Sequence, residues 1–257
     1  MIRNEEVFEN FDADASQFVF ENVHSKLYSK NDWWFWGVLD FEHLKQTTNK
    51  IPRKYAMPRK IDNDTVNRLY ESKNLNIKKL GNFRMSGETD FNFKDIKFKY
   101  YKDLINEDKT ISDCEKEKII KQLEECKKMH HSLCNFSLIP MTGGMNNVKG
   151  MLQQDRIDRF IYVLDDYFKN KNNITNYKHH IFSQCRSNKI IQEALSEYLS
   201  LFDDIYDYCR KIYKIDDAKF VERFIESGSK EISIANQVRE YMNLAEQYWK
   251  MKAEFIK

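Results

Sequence analysis

Glycine and proline are scarce in this chain, at 7 and 3 of 257 residues. An all-β sandwich needs many of both for its turns, so that scarcity argues against one. Phosphate-cradling loops are missing as well. Neither G-x-G-x-x-G nor G-x-x-x-x-G-K-[ST] occurs, which argues against a Rossmann or P-loop nucleotide site, where glycines let the backbone approach phosphate. No apolar run reaches the roughly 18 residues of a spanning helix. The opening Met1-Ile2-Arg3-Asn4-Glu5-Glu6 has no apolar stretch of the kind a secretory signal needs. No membrane partner is therefore expected. An excess of one charge is also lacking: 42 basic and 40 acidic residues leave a net +2. Any basic contact surface must be local. Cysteines number five, an odd count, at Cys114, Cys126, Cys134, Cys185 and Cys209. Their scatter fits reduced thiols in a cytoplasm better than a disulfide framework. No G-x-S-x-G, H-E-x-x-H or Ser-His-Asp signature is present, so hydrolase chemistry of those types has no support.

Aromatic residues, by contrast, are abundant: 18 Phe, 14 Tyr and 4 Trp. That is enough apolar bulk for a real core. The part up to about residue 75 reads as short helices and loops. Phe18, Val19, Val23 and Leu27 have helical spacing, and Trp33, Trp34, Phe35 and Trp36 form an aromatic knot. Asp64 is placed to cap a helix carrying Val66, Leu69 and Tyr70. Between about 79 and 101, Phe91 alternates with Phe93, and Ile96 with Phe98 and Tyr100. This period of two predicts a β-hairpin with a bulge, with Gly81 and Gly87 at its turns.

Helical signals dominate the remainder. Ser112-Asp-Cys-Glu115 is a capping-box pattern ahead of Ile119, Ile120, Leu123 and Cys126. Three apolar stripes with steps of three and four follow. The first is Ile157, Ile161, Leu164 and Phe168; the second runs through Ile191, Leu195, Tyr198, Phe202, Ile205, Cys209 and Ile212; the third is Ile234, Val238, Tyr241, Ala245, Tyr248 and Phe255. Asp216 or Asp217 starts a shorter helix ending near Gly228. The fold class expected is α+β, mainly α: one compact unit over 1–257, with a small sheet in a mixed α/β part (1–150) packed against a helical bundle (151–257).

One segment breaks the helical pattern. His131-Ser-Leu-Cys-Asn-Phe-Ser-Leu-Ile-Pro-Met-Thr-Gly-Gly-Met-Asn-Asn-Val-Lys-Gly150 holds three of the seven glycines. Its order is a short apolar strand, a Gly-Gly turn, then a helix start. These residues resemble the second half of an HNH, or ββα-metal, endonuclease motif, in the form found at the C-terminal end of GmrSD-type modification-dependent restriction enzymes. In that resemblance His131 to Leu138 is the family's His-Thr-Leu-Gly-Asn-Leu-Thr-Leu run, and Asn146-Asn-Val-Lys-Gly150 is the helix start. The resemblance implies that Asn135 braces the loop between strands, and that Asn146 or Asn147 sits near a divalent metal. It covers some 20 residues. The family's first-strand acid-His pair is not found in the few dozen residues upstream of His131; the nearest, Glu42-His43, would require a long insertion. Ordinary turn chemistry is the alternative account, since Gly and Asn both tolerate positive φ.

Other candidates have plainer explanations. His130 and His131 with Cys134, and His179 and His180 with Cys185, offer zinc donors, yet no Cys-x-x-Cys supplies a paired ligand set. Trp33, Trp34 and Trp36 offer a stacking platform or, more simply, an N-terminal core. The loop from Lys50 to Lys60 carries Lys50, Arg53, Lys54, Arg59 and Lys60 with no acid, and is either a phosphate grip or a solvated loop. The pairs Asp165-Asp166, Asp203-Asp204 and Asp216-Asp217 point apart on helices and read as solvated faces.

Two functions are carried forward. The first is a nucleic-acid-associated bacterial protein with a degenerate HNH-like segment, from a defence system or mobile element. Its site candidates are His131, Asn135 and Asn146, with Lys149, Arg53 and Lys54 on phosphate. The second is a non-catalytic helical interaction module, for which a homo-oligomer is one form. No cofactor is expected, save a divalent metal if the HNH-like reading holds.

Overall fold

The computed structural model describes residues 65–67, 84–140, 156–171, 196 and 199–256. The described residues are mainly helical, and no helix among them is long and apolar enough to cross a membrane. In chain order the elements are β1 (Thr65–Asn67), β2 (Arg84–Thr89), α1 (Asp95–Glu107), α2 (Asp113–Lys128), a 3-10 turn (Leu133–Asn135), β3 (Phe136–Pro140), α3 (Ile157–Asn170), α4 (Ile205–Tyr208), a π turn (Cys209–Tyr213), α5 (Ala218–Gly228) and α6 (Ala235–Ile256). The three short strands pair antiparallel in the order β1-β2-β3. Thr89 pairs with Phe136, and Met85 with Pro140.

Helix α2 starts as its capping box dictates. Ser112 accepts from the Glu115 amide at 3.3 Å, and Asp113 with Lys127 and Lys128 complements the helix dipole at its two ends. Helix α3 buries Ile157, Ile161, Leu164 and Phe168, as their spacing requires. Asp217 caps α5 through the Lys219 amide at 2.9 Å. Helix α5 ends at Gly228, where a Cβ would run into the Asp158 carbonyl; the glycine is what lets α5 approach α3 so closely. In α6, Val238, Tyr241, Ala245 and Tyr248 are buried, while Phe255 at the far end of the stripe is exposed.

Four local expectations are corrected. Ile96, Phe98 and Tyr100 are on helix α1, not on a hairpin strand. Residues spaced by four share a helical face as readily as a strand face, and the helix is decided by Tyr101 and Ile105, which it buries. Gly87 lies within β2 opposite Leu138, not in a turn. Val66 lies in β1 rather than in a helix capped by Asp64; Leu69, Tyr70 and Gly81 fall outside the described residues. The second apolar stripe is not one helix. A new start at Asp204, whose carboxylate accepts from the Asp207 amide at 2.8 Å, opens α4, and Lys214 closes the π turn with φ 58°. Ile191, Leu195 and Tyr198 lie outside the described residues, as do the Phe18 to Leu27 stretch and the tryptophans at 33, 34 and 36.

The core is aromatic. Phe91 packs within 5.2 Å of the Tyr241 ring and 5.7 Å of the Tyr248 ring, centroid to centroid, with the edge of Trp249 at 6.0 Å. Such offset and edge-on pairs add to the apolar area each ring removes from water. Cys126, Cys134 and Cys209 are buried in this core and Cys114 is exposed; all four are free thiols.

Candidate functional site

The site grows from the point where β2 ends. After Thr89 the chain leaves the sheet, and the main chain of Phe91 needs a partner that β3 no longer supplies. Asn135 supplies it. Its Oδ1 accepts from the Phe91 amide at 2.9 Å and from Trp249 Nε1 at 2.8 Å. Its Nδ2 donates to the Phe91 carbonyl at 2.9 Å and to the His130 carbonyl at 2.8 Å. A carboxamide here imitates a strand's peptide group. Both lone pairs and both hydrogens are used, so Asn135 has no oxygen left for a cation. It is a brace.

One residue earlier, Asp90 anchors a second buried assembly. Its carboxylate accepts from Ser137 Oγ at 2.8 Å, Tyr248 OH at 2.8 Å and Lys252 Nζ at 2.9 Å. Lys252 is 0% exposed, and its ammonium also donates to Ser137 Oγ at 2.6 Å and to the Phe136 carbonyl. A serine held between an ammonium and a carboxylate has the donors of a nucleophile site. Yet Ser137, Tyr248 and Lys252 are all fully buried, and no substrate reaches the hydroxyl. Burial, with the Asp90 carboxylate beside it, pushes the Tyr248 phenol well above its ordinary range. This assembly holds the fold.

A third buried pair closes the opposite side of the 90–93 segment. Arg156 bridges Phe91 across a single β pair and forks onto Asp158 at 3.0 and 2.5 Å. Its guanidinium also donates to the carbonyls of Ser227 and Lys230 at 2.9 and 3.0 Å and sits 5.2 Å from the Tyr241 ring centroid. Its side chain thus ties the start of α3 to the end of α5, the residues just after it, and α6. The arginine is a clamp.

The exposed chemistry lies at the edge, where the start of α1 meets the end of α2. Lys94 Nζ lies 3.1 Å from His131 Nε2; an ammonium only donates, so the imidazole accepts there. The Lys127 and Lys102 ammonium groups sit 4.5 and 5.8 Å from the Phe98 ring centroid. His130 and His131 pack edge-on at 4.5 Å. Residues 94–102 and 127–131 together hold six lysines and two histidines against one acid, Asp95. Glu125, just outside, pairs with Lys128 at 2.8 Å. Against a chain whose charges nearly cancel, this edge is distinctly basic.

The structure thus separates two neighbours in sequence: Asn135 points into the core and His131 stands at the basic edge. Asn146, Lys149, Arg53 and Lys54 lie outside the described residues, as do His179, His180 and Cys185. Cys134 is buried 3.4 Å from Ser132 Oγ, and burial pushes its thiol up to about 12. Among the described residues no three His, Cys, Asp or Glu side chains are grouped to hold a metal. Of the acidic pairs, Asp165 bonds Lys169 at 2.5 Å while Asp166 accepts from Asn170, so each looks elsewhere. Sequence reading passed over Asp90, Arg156 and Lys252. The one available signal was Lys252, four residues after Tyr248 on the buried face of α6. Compared with protein families, curated proteins and solved structures, the chain matches none.

Proposed function

We propose that this chain is a nucleic-acid-associated protein that binds the phosphate backbone along the α1–α2 edge. One observation carries the reading: the fold brings Lys94 beside His131, and Lys102 and Lys127 together over the Phe98 ring, a cationic strip in a chain of net charge +2. Phosphate contacts of this kind release counterions and give affinity without sequence reading. Asn135 enters as a positioning residue, because its bond to the His130 carbonyl fixes the turn that presents His131. The resemblance of His131 to Gly150 to an HNH motif supports the same direction, with Asn146, Lys149, Arg53 and Lys54 as further phosphate contacts and a divalent metal as the cofactor such a segment would use. The architecture that goes with it is α+β, the small sheet held against the C-terminal helices through Phe136 and Ser137. A bacterial defence or mobile-element setting in the cytoplasm suits these features.

Binding of a labelled oligonucleotide is measured by fluorescence anisotropy across a salt series. Lys102→Ala and Lys127→Ala are each expected to flatten the slope of log affinity against log salt by about 1. A plasmid-nicking assay with magnesium or manganese tests the HNH-like part separately. If no binding occurs at low salt, where phosphate contacts are strongest, the proposal fails.

A further inference from the structure

One stripe of α1 turns apolar side chains to solvent. Ile96 is 83% exposed and Tyr100, one turn later on the same face, is 41% exposed. The Tyr100 hydroxyl donates to the Ile232 carbonyl at 2.8 Å, which fixes the ring, and two residues beyond that carbonyl Ile234 is 51% exposed. Asp103 continues the stripe, and Asp95 and Lys99 border it along one flank; all three are exposed. Among the described residues none of these three makes an ion pair. The start of α1 is open as well, since its N-cap residue, Lys94, offers the first-turn amides no side-chain acceptor.

We infer that this stripe joins two copies of the chain across a twofold axis, with α1 antiparallel to α1 of the second copy. The occupant is argued from charge complementarity. A polynucleotide would meet the carboxylates of Asp95 and Asp103, whereas a face with unpaired acid and base on one flank matches another such face. A closed dimer uses the same patch on both copies. With the axis passing near residues 97 and 98, Ile96 faces Tyr100 of the second copy, and the reverse contact forms by symmetry. An antiparallel twofold also brings like flanks together, so Lys99 lies across from Asp95 of the second copy, twice over. Antiparallel helices pack about 8–10 Å apart, within a lysine's reach. Asp103 then overhangs the uncapped start of the other α1, where the helix dipole is positive. A parallel arrangement would set Asp103 on Asp103 and Glu107 on Glu107. Phe98, under the Lys102 and Lys127 ammonium groups, is on another flank of α1 and stays open.

The experiment is sedimentation equilibrium of the full chain without nucleic acid, at micromolar to submillimolar concentration. Reductant is present because Cys114 is exposed. A dimer that fills with rising concentration is expected. Ile96→Ser enters a twofold contact twice and is expected to weaken it roughly tenfold or more. Lys99→Asp and Asp95→Lys are each expected to weaken it too, because each sets like charges across the axis. Lysine tolerates the φ of 50° at position 95, as Lys214 shows at 58°. Mixed in equal amounts, the two charge variants again oppose acid with base and are expected to associate with each other more tightly than either does with itself. Restored association in the mixture shows that both variants are folded. A native chain that stays monomeric over the whole range overturns the inference. A dimer untouched by Ile96→Ser overturns it by placing the contact elsewhere, and so does a mixture that associates no better than its parts.

Discussion

The interior around Asn135 and the edge at Lys94 meet at the same short turn, residues 130–135, and treat polar groups in opposite ways. Inside, Asn135, Asp90, Lys252 and Arg156 are buried and bonded to the main chain or to one another. At the edge, Lys99, Lys127 and Lys128 are exposed, and Lys102 and Lys127 rest on an aromatic ring rather than on a carboxylate. A saturated group in a dry interior resists any ligand, because a new partner must first displace an old one. Cations in water keep their capacity for a new anion. Chemically rich clusters deep in a fold are therefore poor candidates for binding, and weakly partnered surface charge is a better one.

That contrast can be broken at its interior end most severely. Lys252→Met strands the Asp90 carboxylate without its counter-ion, and removing one member of a buried pair costs about 3–5 kcal/mol. The urea midpoint should fall accordingly, and Asp90→Asn added to Lys252→Met should recover part of the loss. A single variant within about 1 kcal/mol of the native chain would show that the pair is wetter than its 0% and 3% side-chain exposures. Asn135→Ala is comparable in size. It leaves the Phe91 amide and carbonyl and the Trp249 indole without partners, and at about 1–3 kcal/mol for each such buried group the loss is several kcal/mol. Trp249→Phe, which deletes one donor and keeps most of the packing, should cost about 1–2 kcal/mol. At the edge the effect should nearly vanish: Lys102→Ala and Lys127→Ala should each shift unfolding by no more than about 0.5 kcal/mol, even as they weaken polynucleotide binding. A lysine variant that loses both together would erase the distinction.

Long apolar stripes were the legible part of this molecule. Helix α6 follows from Val238, Tyr241, Ala245 and Tyr248 because a 22-residue helix repeats its period often enough to stand out. Short elements did not: Ile96, Phe98 and Tyr100 alternate as a strand would, and the helix is set by Tyr101 and Ile105, which it buries. The break in the second stripe was written in Asp204, a strong N-cap residue that reads as mere surface charge when the apolar spacing runs on through it. Capping at Ser112 and Asp217 was readable because the signal and its partner lie within three residues. The buried assemblies were not, for the opposite reason. Asp90 gives no sign in the sequence of its pairing with Lys252, 162 positions away, and a lysine inside an aromatic stripe is the sole trace. Of the candidate residues, Asn135 is fully buried and His131 is half-buried beside Lys94, a division that their spacing of four does not reveal.

That long separation has a consequence for biosynthesis. Chains emerge from the ribosome in order, so Asp90 is exposed to the cell well before Lys252 exists to meet it. At about 5–20 residues per second, 162 residues correspond to a delay on the order of ten seconds. Throughout that interval the Phe91 region has an aromatic surface and polar groups awaiting α6, and surface of that kind is prone to aggregate until its cover arrives.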